Sequence, residues 1–181
     1  MIGVRGLLAT AALFAIAAGV NTWSVALQQR GQHLTRRFGR AAWPVHLASI
    51  TPPWALFLLS LATLDRRARW PLPAMTRSLG VPVLAAAGLL WTAAFRKLGP
   101  ARMANGYFFG RTGSERVSGG VFRWLENPVY DSYALALVGQ ALLRADARYL
   151  ALAAESLLLL NELEASVENR PFKRGPSVPL L

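Results

Sequence analysis

Long apolar blocks alternate with short arginine-rich segments along this chain. Four apolar regions stand out, at residues 7–27, 43–64, 79–95 and 129–160. The first matches the ~20 residues an α-helix needs to cross a bilayer core. Arg5, the apolar run and Ser24-Val25-Ala26 also have the outline of a cleavable signal peptide, but the run is long and more spans come after it, so it is read as a first span. The second region carries Pro52-Pro53. Each proline removes a backbone donor and crowds the preceding turn, which predicts a kink or a break. The fourth region divides at the polar turn 144–148 into arms at 129–143 and 149–160. Each arm is shorter than a standard span, which predicts a helical hairpin that crosses a thinned region or extends beside a protein cavity. The pattern predicts an all-α, multi-pass integral membrane protein with about five transmembrane helices and a C-terminal helical hairpin.

Composition supports this. Of the 181 residues, 54% are hydrophobic and 16% charged, against roughly 25% charged in an average soluble domain. Trp43 and Trp70 lie near the ends of apolar blocks, where indole rings favour the membrane interface. The net charge of +11 is interrupted by apolar spans rather than gathered on one face. It therefore points to anionic lipid headgroups and away from nucleic acid. With no cysteine, disulfides, thiolate nucleophiles and cysteine metal sites are excluded. His33 and His46 are too far apart to suggest a metal site, so none is expected. The bias toward Ala, Leu and Arg hints at a GC-rich bacterial genome and hence a bacterial inner membrane.

Five crossings with the N-terminus outside place thirteen Lys and Arg on the cytoplasmic side and seven opposite, the distribution the positive-inside rule favours. The segment 120–133, GVFRWLENPVYDSY, and the acidic sequence Asn161-Glu162-Leu163-Glu164 then share the cytoplasmic face, because two hairpin arms separate them. Glu155 interrupts the second arm. An acid at membrane depth is costly and is paired or functional; this one either lines a cavity or pairs with an arginine. The glycines of 110–113 and 119–120 have no strand pattern before them and read as a flexible loop rather than a phosphate cradle.

The order of these features resembles the membrane methyltransferases typified by isoprenylcysteine carboxyl methyltransferase and phospholipid N-methyltransferases. Their signature is a glycine-aromatic pair, Arg-His/Asn-Pro-x-Tyr-x-Gly, a helical hairpin and a paired glutamate. Here Leu98-Gly99, Gly120-Val121-Phe122-Arg123, Asn127-Pro128-Val129-Tyr130, the hairpin and Asn161-Glu162-Leu163-Glu164 occur in that order. The resemblance covers residues 98–164. This chain departs from the pattern in three places. Glu126 stands where the family has arginine, Ser132 where it has glycine, and the family's aromatic tail is missing.

The resemblance implies S-adenosylmethionine as cofactor and methyl transfer to a lipophilic acceptor at the cytoplasmic face, either an isoprenylcysteine-like carboxylate or a phospholipid amine. It places catalytic roles at Glu162 and Tyr130. Cofactor contacts fall on Gly120, Phe122, Asn127, Pro128, Tyr130 and Glu162, with Asn161 or Glu164 as the partner of Glu162. Aromatic faces at Tyr130, Tyr133 or Trp124 suit a sulfonium, and Arg123 suits the donor's carboxylate. Residues 1–181 then form one membrane domain. Three spans occupy 1–95, a cytoplasmic cofactor loop 96–128, the hairpin and acidic motif 129–164, and a cytoplasmic tail 165–181. Two other readings stay open: a scaffold or lipid-binding protein of the same fold without catalysis, and a nicotinamide-dependent membrane reductase of the steroid-reductase-like group, which carries a similar Asn-Pro-x-Tyr. Expected partners are membrane lipids and a lipophilic substrate; oligomeric state is open.

Overall fold

Thirty residues, Ile2–Gly31, form the first helix, α1. That is roughly 45 Å at 1.5 Å per residue, longer than the ~30 Å hydrocarbon core, so one end extends past it. The computed structural model describes residues 2–64, 71–113, 117–164 and 167, without the side chains of 2, 3 and 162–164. Among the described residues every regular element is helical. A short α2 (His33–Phe38) and a 3-10 turn (Gly39–Ala41) lead into α3 (Ala42–Thr63). After α4 (Ala74–Ser78) comes α5 (Gly80–Met103), and two 3-10 turns, Gly106–Phe109 and Gly120–Arg123, precede α6 (Pro128–Arg144). The chain then runs through α7 (Arg148–Ser156) into a π-helical segment, Leu157–Glu164. Among the described residues three stretches are long and apolar enough to cross a membrane: Val4–Gly31, His33–Thr63 and Ala74–Phe109. The expected all-α membrane fold is what the chain adopts. The hairpin arms are the shorter elements, as their sequence length dictates.

One backbone expectation narrows and another changes. Pro52-Pro53 does not break α3, which runs continuously through both prolines. Two ladder donors are missing there, yet Trp54 and Phe57, just beyond them, clasp Phe14 of α1. The Phe14–Phe57 rings stack at 4.7 Å and Phe14–Trp54 meet edge-on at 5.6 Å. Tertiary packing of this kind overrides local propensity, and membrane helices tolerate proline. The real interruption is at Gly99 in α5 (φ 74°, ψ 165°). Only glycine adopts that conformation cheaply, and Pro100 is preset for the first turn of the helical stretch that resumes after the break. Residues 96–103, expected as loop, are therefore a helical extension beyond and around this break.

The hairpin turn is fixed by its own chemistry. Ala145 takes a left-handed conformation (φ 52°) and its N–H, with that of Asp146, closes on carbonyls of the last turn of α6. Asp146 then accepts the Arg148 N–H at 3.0 Å and its guanidinium at 2.6 Å. Two apolar clusters fill the interior. One joins Leu64, Leu137, Ala141, Tyr149 and Leu152; the other joins Phe14, Ala18, Phe57 and Leu160. Both rest the hairpin on α1 and α3. On its other side α6 meets α5 at backbone distance, through Gly80 and Gly139.

Candidate functional site

The approach to α6 is built from special backbone positions. Gly120 has φ +64° and opens the turn Gly120–Arg123, where a side chain would be strained. The turn closes with the Trp124 and Leu125 N–H groups on the Val121 carbonyl. Asn127 has φ −133° and ψ 63°, outside the right-handed helical region that the following proline disfavours. Its side chain makes no capping bond, but its carbonyl accepts the Asp131 N–H at 3.0 Å and starts the helix. Pro128 is buried at the first helical position, where the lack of an N–H costs nothing.

The structure brings the two ends of the hairpin together. Asn161 donates through Nδ2 to Asp131 Oδ1 at 2.7 Å. This bond joins the first turn of α6 to the π-helical segment that carries the acidic motif. Tyr130 packs one residue away, against the cluster of Phe14, Phe57 and Leu160. Tyr133 lies one turn on, 40% exposed and stacked on Trp54 at 6.3 Å. The Asn161 Oδ1 is buried with no hydrogen-bond partner among the described residues. An orphaned buried acceptor calls for a donor, and π-helical insertions recur at functional sites.

The other expected positions are more scattered. Phe122 is half-buried, while Gly120, Arg123 and Glu126 are exposed. Arg123 lies 5.3 Å over the ring of Trp124, itself 79% exposed. Glu162 and Glu164 have described backbone in the π segment, but their side chains lie outside the described residues, as do Trp70 and residues 165–166 and 168–181.

A second polar system, at the same end of the molecule, is invisible as a motif. Asn21, Ser24 and Gln28 lie on one face of α1 and are all buried. Asn105 donates to Asn21 Oδ1 at 2.8 Å, and Gln28 donates to the Phe108 carbonyl at 3.1 Å and to Thr35 at 2.7 Å. Ser24 donates to the Asn21 carbonyl, so its oxygen is left to accept from His46 Nδ1 at 2.8 Å. His46, fully buried, is stacked against Phe109 at 5.0 Å. Trp43 adds a bond to the Ala104 carbonyl at 3.0 Å. Together these fasten residues 104–109, the entry to the site loop, onto α1 and α3. The only signal in the sequence was polar residues at helical spacing, 21, 24 and 28, inside an apolar run.

Between α3 and α6, and bordered by α7, lies an apolar cavity of about 390 Å³. Trp54 and Tyr133 form its end nearest the motif; Gln140, Arg144 and Tyr149 line its other end. Glu155 makes no ion pair with a described residue and does not line this cavity. Its neighbour Ser156 does, with its Oγ buried and without a partner among the described residues. In comparisons with known proteins, the family model described as phospholipid methyltransferase matches residues 75–174, from α4 through the hairpin. No curated protein and no solved structure matches the chain.

Proposed function

The chain belongs to the phospholipid methyltransferase family, and from that membership we propose that it transfers a methyl group from S-adenosylmethionine to a lipophilic acceptor at the cytoplasmic membrane face. The observation that carries this reading is the Asn161–Asp131 bond, because it draws the Asn-Pro-x-Tyr segment and the acidic segment together. The residues present fit the cofactor: an orphaned buried acceptor at Asn161, aromatic faces at Tyr130 and Tyr133, and carboxylates at Asp131, Glu162 and Glu164.

S-adenosylmethionine, when bound, supplies an electrophilic methyl on a cationic sulfur. The chain's task is then chiefly alignment, since an in-line displacement gains most from fixed geometry. Tyr130 and Tyr133 offer aromatic faces to the positive charge. Asn161 Oδ1 and the Glu162 and Glu164 carboxylates accept from hydroxyl or ammonium donors. Gly120, Phe122, Asn127 and Pro128 shape the loop and leave the free N–H groups of the α6 start for a polar ligand. Arg123 pairs with the donor's carboxylate in place of the arginine that Glu126 replaces. Tyr133 and Trp54 give the acceptor an aromatic wall facing the bilayer. A carboxylate acceptor needs no base; an amine acceptor must first lose a proton, and Asp131, held by Asn161, is a carboxylate within this site that can take it.

Incubation of membranes containing the protein with methyl-labelled donor, and then lipid extraction, tests this directly. Label should enter the lipid fraction and fall at least tenfold in Tyr130→Ala; label equal to that of membranes without the protein would refute the activity. One observation favours a second reading. Glu126 puts a negative charge at the exposed mouth, which suits a lipid-binding protein that has given up catalysis. In that case lipids bind and the donor does not.

A further inference from the structure

The turn of the hairpin carries two arginines, and they are treated differently. Arg148 is neutralised: its Nε lies 2.9 and 3.1 Å from the two oxygens of Asp146 and its Nη2 2.6 Å from one of them. Arg144 is not. Its Nε donates to Gln140 Oε1 at 2.9 Å and its guanidinium lies 5.5 Å over the ring of Tyr149, but no described carboxylate pairs with it. Both contacts orient the guanidinium, and no described residue compensates its charge. Arg144 and Gln140 line the cavity at the end away from the motif, and Phe14, Phe57, Leu84 and Leu137 line its apolar walls.

Dimension and charge select the occupant. From Arg144 to Tyr133 the cavity tracks α6 for eleven residues, roughly 16 Å of helix. Half of a bilayer core is about 15 Å, the depth of one acyl chain. A chain entering from the motif end would bring its methyl terminus against a guanidinium, which is unfavourable. A chain entering from the turn end brings its phosphate there instead. Arginine is suited to phosphate by its planar fork of donors. We infer that the cavity is a binding site for an anionic phospholipid of the leaflet on the hairpin-turn side, with phosphate on Arg144 and one acyl chain extending to Trp54 and Tyr133. The chain's end then forms the floor beneath the aromatic wall of the proposed methyl-transfer site. The site itself does not depend on methyl transfer.

Native mass spectrometry of the full chain tests it, after incubation with vesicles of equal parts phosphatidylglycerol and phosphatidylcholine and gentle re-extraction. The wild type retains one phospholipid with about fivefold preference for the anionic one, the scale of a single arginine at a lipid surface. Arg144→Gln still retains lipid but with a preference near one. Ala136→Phe and, independently, Ala62→Phe fill the cavity and retain neither lipid. An unchanged preference in Arg144→Gln, equal retention of both lipids by the wild type, or undiminished retention in a correctly folded cavity-filled variant overturns the proposal. No methyl transfer is read, so failure here leaves the proposed activity standing.

Discussion

Asn161 is the residue on which the site's geometry turns. Its amide holds Asp131 at 2.7 Å and leaves a buried oxygen without a described partner. Hydrogen bonds to charged groups contribute about 1.5–3 kcal/mol. Asn161→Leu should therefore lower the unfolding midpoint measurably in a thermal melt; an unchanged midpoint would show that the bond contributes nothing. Ser156 gives the opposite expectation. It is 1% exposed and its Oγ has no partner among the described residues, so Ser156→Ala removes a desolvated hydroxyl at no loss and should leave the melt unchanged or raise it. At this scale the sequence was informative where chemistry is local. The Asn127-Pro128 turn and the left-handed Gly120 arise from the residues themselves. Asp131 lay inside the motif yet carried no signal, because its importance depends on a partner thirty residues away.

Between elements, α5 and α6 meet at backbone distance. A Cβ on Gly80 would lie 2.6 Å from the Leu143 nitrogen and 2.7 Å from the Gly139 carbonyl oxygen. One on Gly139 would meet Leu84 Cγ at 2.8 Å and its nitrogen at 3.0 Å. Backbone cannot yield as a flexible side chain can, and small residues let membrane helices approach this closely. Gly80→Ala and Gly139→Ala should each destabilise by about 1–3 kcal/mol, read as a lower midpoint in detergent. A neutral Gly80→Ala would mean that the two helices do not meet as described. The spans were legible because bilayer thickness fixes their length. At Pro52-Pro53 the sequence allowed a kink or a break, and the helix is not broken there, with ring packing from α1 just beyond the prolines. The sequence marked Gly99 only as part of a motif, not as the point where α5 breaks.

Over the whole molecule, the N-terminal half is more than a membrane anchor. Asn21, Gln28 and His46 hold residues 105–109 through buried polar bonds and ring stacking, and the family match begins only at residue 75. Asn21→Leu should leave the helices intact while amide hydrogen exchange at 104–110 speeds up; unchanged protection would assign that loop's order to other contacts. The sequence placed the two hairpin ends on one face by counting crossings. It had no means of finding the polar clasp, whose bonded members lie as far as 84 residues apart. The central claim is that these converging ends form a site for S-adenosylmethionine. Titration calorimetry of the purified full chain with the donor or its demethylated product measures this most directly. Saturable binding at or below the millimolar range, lost when Tyr130 and Glu162 are both changed to alanine, is the predicted result. No heat at millimolar ligand, or a double variant that binds as the wild type does, would contradict it.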